Sequence, residues 1–238
     1  MQTTKDIKKY WDCFIKEHNT SKIMVTEKGM EVTVKGNFQL FKELVLDKAK
    51  GKVSVLEVGC GSGIFTEMIR KHKNVGKLVC TDLSSEGIKI CKKKRLNGVV
   101  ANLEKLPFKD KSFDVICGFE VLHHVNNPQK AISEACRVAK KTIFFHEPNS
   151  WNFMRKLMER FYYDKRAHET SYSMPQFRKW FKNKPFKLKI IPYSFFMPYF
   201  SNDTLVRWNL AVDDALNKTP LKIIGASLIL LAERKSDS

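Results

Sequence analysis

The sequence predicts an α/β fold, a doubly wound and mostly parallel sheet with helices on both faces. Three observations carry that prediction. Strand-length apolar runs alternate with segments of helical spacing from residue 53 to residue 147. Three glycines at alternate positions, Gly59, Gly61 and Gly63, follow the first run and lead straight into a helix-period segment. A last apolar stretch, residues 223–234, has no helix-length segment after it, so it can pair antiparallel at the sheet edge.

The elements follow in order. Residues 4–18 and 36–50 read as helices, the second with Phe38, Phe41, Leu44, Val45 and Ala49 at helical spacing. Residues 53–58 are a short apolar run bounded by Gly51 and Gly59, hence a buried strand. Ile64, Phe65, Met68 and Ile69 make an amphipathic helix that opens directly after the glycines. Residues 78–83 are the next strand, and Ser84 or Ser85 can cap a helix running to about Arg95. Residues 98–103 and 113–121 are the third and fourth strands. Asn127 followed by Pro128 is a cap with proline at the first helical position, opening a helix to about Lys140. A fifth strand, 142–145, is stopped by Pro148.

Beyond residue 150 the alternation loosens. Residues 151–163 and 175–182 read as helices, 188–196 as a strand, 202–217 as a helix and 223–234 as the last strand. The chain divides into an N-terminal helical cap (1–50), a core (51–149), a helical insertion with its own strand (150–217) and the last core strand (218–238). Aromatic residues crowd the insertion, Trp151, Phe153, Tyr172, Trp180, Phe196 and Trp208 among them. It reads as a lid shaping an apolar substrate pocket, or as an ordinary cover with its own core. Tyr10, Trp11 and Phe14 of the first helix can close the other side.

Composition narrows the class. With 238 residues, 43% hydrophobic and 29% charged, the chain has globular values and ample core. The start, "MQTTKDIKKYWDCF", has no apolar leader, and the longest apolar run, 223–232, is far short of the ~20 residues that span a bilayer. Cysteines at 13, 60, 80, 91, 117 and 136 show no CxxC spacing and several sit in apolar runs. They read as reduced core thiols of a cytoplasmic protein, neither disulfides nor a metal site. The net charge of +18, from 43 Lys+Arg against 25 Asp+Glu, suits nucleic acid, an anionic membrane or an acidic substrate. Because the cations are spread along the chain, with one tight cluster at residues 92–95, it also suits a solvated surface.

In an open doubly wound sheet the ligand lies outside the carboxyl ends of the strands. Those ends carry Glu57 and the glycine turn, Asp82 with Leu83, Asn102 with Leu103, Phe119 with Glu120 (His123 and His124 just beyond), and His146 with Glu147. Asp82 lies 23 positions after Gly59, where an acid can accept hydrogen bonds from a ribose diol. The glycine spacing is not the GxGxxG of a dinucleotide site, and Glu57 would add negative charge beside a pyrophosphate. A ligand with a ribose, no phosphate and a cationic end fits better, and S-adenosylmethionine is such a ligand.

"LEVGCGSGIFT", "TDLSSEGI", "ANLEKLPFKDKSFDVICGFEVLHHV" and the closing "GASLILLAERK" together resemble the Rossmann-like, class I S-adenosylmethionine-dependent methyltransferases, closest to their small-molecule branch. The resemblance spans residues 50 to 148 and, less strongly, the last dozen. It implies a seven-stranded sheet with its last strand antiparallel. It also implies that Glu57, Gly59, Cys60, Gly61 and Gly63 line the cofactor's methionine end. Asp82 would hold the ribose hydroxyls and Leu83 would lie against the adenine. Asn102 and Leu103 would meet the adenine edge, and the chain around Phe119 and Glu120 would pass the methionyl part. The family often carries Asp where this chain has Asn102, whose amide oxygen can still accept from the adenine amine.

Methyl transfer from a sulfonium is an in-line displacement in which holding the nucleophile aligned contributes ~7–11 kcal/mol, and a general base is optional. His123 is the foremost candidate for base or substrate anchor, with His124, His146, Glu147 and Glu120 behind it. The acceptor implied is a small or lipid-like molecule methylated at O, N or C. A nucleic-acid methyltransferase is the rival reading, supported by the charge and by "MPQFRKWFKNKPFKLK". Against it, the fourth strand ends in "CGFE" rather than an Asn/Asp-Pro-Pro-aromatic turn, and there is no Pro-Cys dipeptide. A non-catalytic binding protein is a third reading, opposed by the intact Glu57, glycine turn and Asp82.

Overall fold

The structure is a computed structural model, and it describes residues 3–18, 27–161, 170–193, 215–216 and 218–235. Seven strands form one sheet: β1 (Val53–Val58), β2 (Val75–Asp82), β3 (Gly98–Val100), β4 (Phe113–Phe119), β5 (Ala139–Pro148), β6 (Phe186–Tyr193) and β7 (Ser227–Arg234). Their order is β3-β2-β1-β4-β5-β7-β6. The first five pair parallel, and β7 runs antiparallel to both β5 and β6. Strand order therefore reverses between β1 and β4, which opens a crevice at their carboxyl ends.

Alternate residues of each strand feed opposite faces. Leu56, Ile116, Ile143 and Ala232 are register neighbours and belong to one core layer. Val55, Val115, Cys117, Phe144 and Leu231 belong to the other. Helices cover both layers: α1 (Thr4–His18), α2 (Glu27–Phe41), α3 (Ile64–Arg70), α4 (Ser85–Lys93), α5 (Pro128–Val138), α6 (Phe153–Phe161) and α7 (Met174–Phe181).

Local chemistry sets the helix starts. Gly63, at φ 82°, is the residue before α3. Ser84 caps α4 by accepting from the Gly87 N–H at 3.2 Å, and Asn127 caps α5 by accepting from Lys130 at 2.9 Å with Pro128 behind it. A reciprocal Ser173–Gln176 box opens α7.

Several boundaries differ from the sequence expectation. The helix expected at 36–50 begins at Glu27 and closes in a π-helical turn at Leu46. β2 starts three residues early, at Val75, because Val53 pairs with it there. β5 runs from Ala139 through Pro148 rather than over 142–145: its ladder to β7 continues to the Pro148–Ser227 pair. The last strand starts at Ser227, since residues 220–224 wind into a 3₁₀ turn. Most of the helix expected at 202–217 lies outside the described residues, as do Phe196 and Trp208.

Candidate active site

The crevice at the switch point holds a cavity of about 190 Å³. Gly59, Gly61, Asp82, Leu83, Asn102, Leu103 and Glu120 line it from the sheet, and Val121, His124 and Val125 from the segment after β4. Ile7, Trp11, Phe14 and Ile15 close it from α1.

The glycine turn owes its course to three left-handed residues, Gly59, Gly61 and Gly63, with φ of 70°, 52° and 82°. They do different work. A Cβ on Gly59 would stand 2.3 Å from Val121 Cγ2, so that glycine lets the turn pack under the chain after β4. A Cβ on Gly61 would meet nothing within 4 Å, so the bare backbone there faces the cavity. The Gly61 N–H donates to Asp82 Oδ2 at 2.8 Å, and the Ser84 N–H donates to Oδ1 at 2.7 Å. Asp82 is thus held rigid with one lone pair on each oxygen left for a ligand, while burial raises its carboxyl.

Glu57 is 1% exposed and sits behind the turn, outside the cavity wall. Its carboxylate takes a short hydrogen bond from the Thr66 hydroxyl on α3. Burial pushes it up to about 8, against the pull of that bond. Cys60 also lies behind the turn. Its Sγ is 3.8 Å from Cys91 Sγ, and Cys60, Cys80 and Cys91 have sulfurs within 4.8 Å of one another. No disulfide joins any of the six cysteines. Sequence spacing hid this thiol cluster because the turn after β1, strand β2 and helix α4 each contribute one member. Asn102 Oδ1 accepts the Glu104 N–H at 2.8 Å, which turns the chain after β3 and keeps Leu103 against the cavity. Phe119 stacks on Phe65 at 3.9 Å in the core below the cavity.

The polar groups after β4 and β5 separate into two sets. Glu147, 0% exposed, accepts the Val121 and Leu122 N–H groups on Oε1 at 2.9 and 2.8 Å. Its Oε2 accepts the His123 N–H at 3.3 Å and lies 2.8 Å from His123 Nδ1. Burial raises Glu147 to about 7 and lowers His123 to about 3, so the imidazole stays neutral and Nδ1–H donates to the carboxylate. The pair pins the 3₁₀ turn at Leu122–His124, and neither member reaches the cavity. His146 is buried as well, 3.5 Å through Nδ1 from Asn37 Nδ2 and 3.8 Å from Glu120 Oε1. Of the five candidates for base or substrate anchor, His123, the foremost, does not line the cavity, nor do His146 and Glu147; His124 and Glu120 do. The two imidazoles lie 3.9 Å apart, centroid to centroid, yet His124 lines the cavity while His123 is held by Glu147, and sequence alone does not say which does which. Glu120 adopts φ 52°, with its N–H donating to the His146 carbonyl at 2.7 Å. That left-handed residue ends β4 and turns its side chain to the cavity.

Asp12 is the residue that sequence reasoning missed. It accepts from the Ser84 hydroxyl at 2.7 Å, the Glu86 N–H at 3.2 Å and Lys8 Nζ at 2.5 Å. Burial opposes ionisation, but those donors win and hold the carboxyl at about 2. The bond network fastens α1 to the start of α4, directly beside Asp82. Trp11 then stands edge-on to His124 at 4.7 Å.

Residues 56–145 match the model of a methyltransferase domain family. Over 99 residues the chain is 35% identical to phthiotriol/phenolphthiotriol dimycocerosates methyltransferase of Mycobacterium tuberculosis, covering 40% of this chain and 37% of that one. The chain spans about half, or less, of the length of the curated relatives it matches. A Thermotoga maritima structure described as an S-adenosylmethionine-dependent methyltransferase, possibly histamine N-methyltransferase, superposes with a TM-score of 0.69 at 16% identity, covering 96% of this chain and all of that one. Magnesium protoporphyrin IX methyltransferase of Synechocystis, with SAH bound, gives 0.63 at 14% identity over 98% of this chain and all of its own. At those identities the structural likeness speaks for the fold.

Proposed function

We propose that residues 56–145, which match the methyltransferase domain family, form a methyltransferase domain of the Rossmann-like, S-adenosylmethionine-dependent class, and that the chain transfers a methyl group to O, N or C of a small or lipid-like molecule. One observation carries the reading: the bare backbone of Gly61 and the carboxylate of Asp82 open onto the same cavity, with the buried acid Glu57 behind the turn and neither lysine nor arginine among the described residues that line it. The residues fit the cofactor. Asp82 offers a lone pair on each oxygen to a diol, Leu83 and Leu103 offer apolar surface to a flat base, and Gly61 admits close approach.

When bound, S-adenosylmethionine supplies an activated methyl on a sulfonium. The chain's own part is to bind, to align and to exclude water. Asp82 and Asn102 fix the nucleoside end. Glu57, ionised by a nearby positive charge, favours the cationic end through the turn. Ile7, Trp11 and Phe14 keep solvent off the cavity. His124 faces the acceptor side and takes the proton an oxygen or nitrogen acceptor releases; His123 and Glu147 position it by holding the turn. The named acceptors of the curated relative are not nucleic acids, which favours this reading over the nucleic-acid rival.

Calorimetric titration with S-adenosylmethionine tests the cofactor assignment: one saturable site is expected, and a folded protein that takes up none overturns it. Transfer of a labelled methyl group into fractions of a cell extract tests the acceptor class. Label appearing in the organic-soluble fraction supports it; label confined to RNA points to the rival.

A further inference from the structure

Helix α6 is built inside out. Arg155 is 3% exposed and turned inward, where Nε donates to Glu159 Oε1 at 3.1 Å. Glu159 also accepts from the Ser171 N–H at 3.1 Å and from Lys156 Nζ at 2.7 Å. The opposite face carries Phe153, Met154, Leu157 and Phe161, and the two phenylalanines are 75% and 66% exposed. An ordinary surface helix does the reverse. The apolar surface extends to the 3₁₀ turn Pro220–Ile224, because Asn152 Nδ2 donates to the Ile224 carbonyl at 2.9 Å; Leu221, Ile223 and Ile224 are exposed there.

Cations rim this surface. Lys156, Arg160 and Lys222 are all exposed, whereas the sole acid of α6, Glu159, faces inward, and the 220–224 turn has none. Contiguous exposed apolar surface marks an interaction site, and an apolar helical face with a basic rim has the composition of one that lies in a lipid interface. A chain of net charge +18 adds general attraction to an anionic surface. Placement agrees. α6 follows the carboxyl end of β5, and the chain beyond it returns to the turn after β4, where the Thr170 N–H donates to the His123 carbonyl at 3.2 Å, so the helix lies at the same end of the sheet as the cavity.

We propose that the outer face of α6 and the adjoining 220–224 turn dock this protein on the surface of an anionic lipid bilayer, with its cavity rim toward the headgroups. Phe153 and Phe161 insert, and Arg160 and Lys222 contact the phosphates. The inference does not depend on the identity of the methyl acceptor.

Cosedimentation with vesicles tests it, one set of phosphatidylcholine and phosphatidylglycerol and the other of phosphatidylcholine alone. The wild type should partition to the anionic vesicles, with the apparent partition constant falling at least tenfold as salt rises from about 50 mM to 0.5 M. Phe153→Ser with Phe161→Ser should lower it about tenfold or more. Arg160→Glu with Lys222→Glu should lower it about tenfold as well. All four side chains are solvent-exposed, and an unchanged melting temperature will establish that the variants fold. Equal partition of the phenylalanine double variant and the wild type would overturn the proposal, as would wild-type protein left in the supernatant with both vesicle sets. A concentration-dependent dimer in sedimentation velocity that Phe153→Ser abolishes would overturn it in favour of a second copy covering the face.

Discussion

In the proposed function Asp82 carries the ribose end of the cofactor. Its two oxygens are already aligned by Gly61 and Ser84, so a diol would meet a fixed acceptor pair. Asp82→Ala should weaken S-adenosylmethionine binding by about ten- to a hundredfold, equivalent to one or two charge-assisted hydrogen bonds, and calorimetry reads the change. The adjacent histidines divide the work by exposure. His123→Ala removes a buried donor from Glu147 and should cost about 1–3 kcal/mol in denaturant unfolding. His124→Ala should leave the melting temperature near that of the wild type and lower kcat by about a hundredfold or more. Glu57 sets a pH dependence. Its folded value of about 8 lies above the usual 4.5, so its contribution to stability is complete below about 4.5 and is lost as pH rises through 8. A cationic ligand end prefers the ionised acid, so binding releases a proton. Affinity should therefore rise from pH 6 to 8, and Glu57→Gln should flatten that profile in calorimetry at stepped pH.

Among the elements, the glycine turn is the clearest case of geometry dictating residue type. Gly59 and Gly61 share a left-handed backbone, yet their substitutions should fail differently. Gly59→Ala forces a methyl into Val121 and should unfold more easily by about 2 kcal/mol or more. Gly61→Ala meets open space, should cost only about 1–2 kcal/mol from its φ, and should lose cofactor affinity because the methyl enters the cavity. Measuring Tm and binding on both variants separates the two roles. Strand ends were legible because each breaks an apolar run with an acid or amide, as Asp82 and Asn102 do. Helix α1 was legible as a helix over 4–18, and as a cover through Tyr10, Trp11 and Phe14; Ile7 and Ile15 join that cover in the structure. Its fastening was not: Asp12 finds Ser84 across 72 residues, a separation at which no periodicity speaks.

At the scale of the molecule, the sheet is closed on its far side by long-range pairing. Arg234, at the end of β7, donates to the carbonyls of Lys140, Cys136 and Ala139 and stacks 4.5 Å from the Phe186 ring. It ties β7 to the α5–β5 junction and to β6 at once. Arg234→Ala should lower stability by about 2–3 kcal/mol in denaturant unfolding without touching the cavity. The surface charge belongs to this scale too, since its effect depends on how many cations share one face rather than on any single lysine. Among the described residues no helix is long and apolar enough to cross a membrane.

The sequence by itself determined the parallel core, the order of its strands' polar ends and the kind of ligand they suit. Those are local properties: a strand buried on both faces must be apolar, a tight turn against a ligand must be glycine, and polar residues that break apolar runs mark the strand ends where the crevice opens. Tertiary structure alone decided which of two adjacent histidines faces the cavity, that Glu57 supports the site from behind, that three cysteines meet, and that α6 turns its charges inward. Each depends on which side chain wins a buried partner from a distant element. Desolvation makes an unpaired buried charge so costly that Glu147 claims His123 and Glu159 claims Arg155, and the groups left outside acquire the contacts with ligand and solvent.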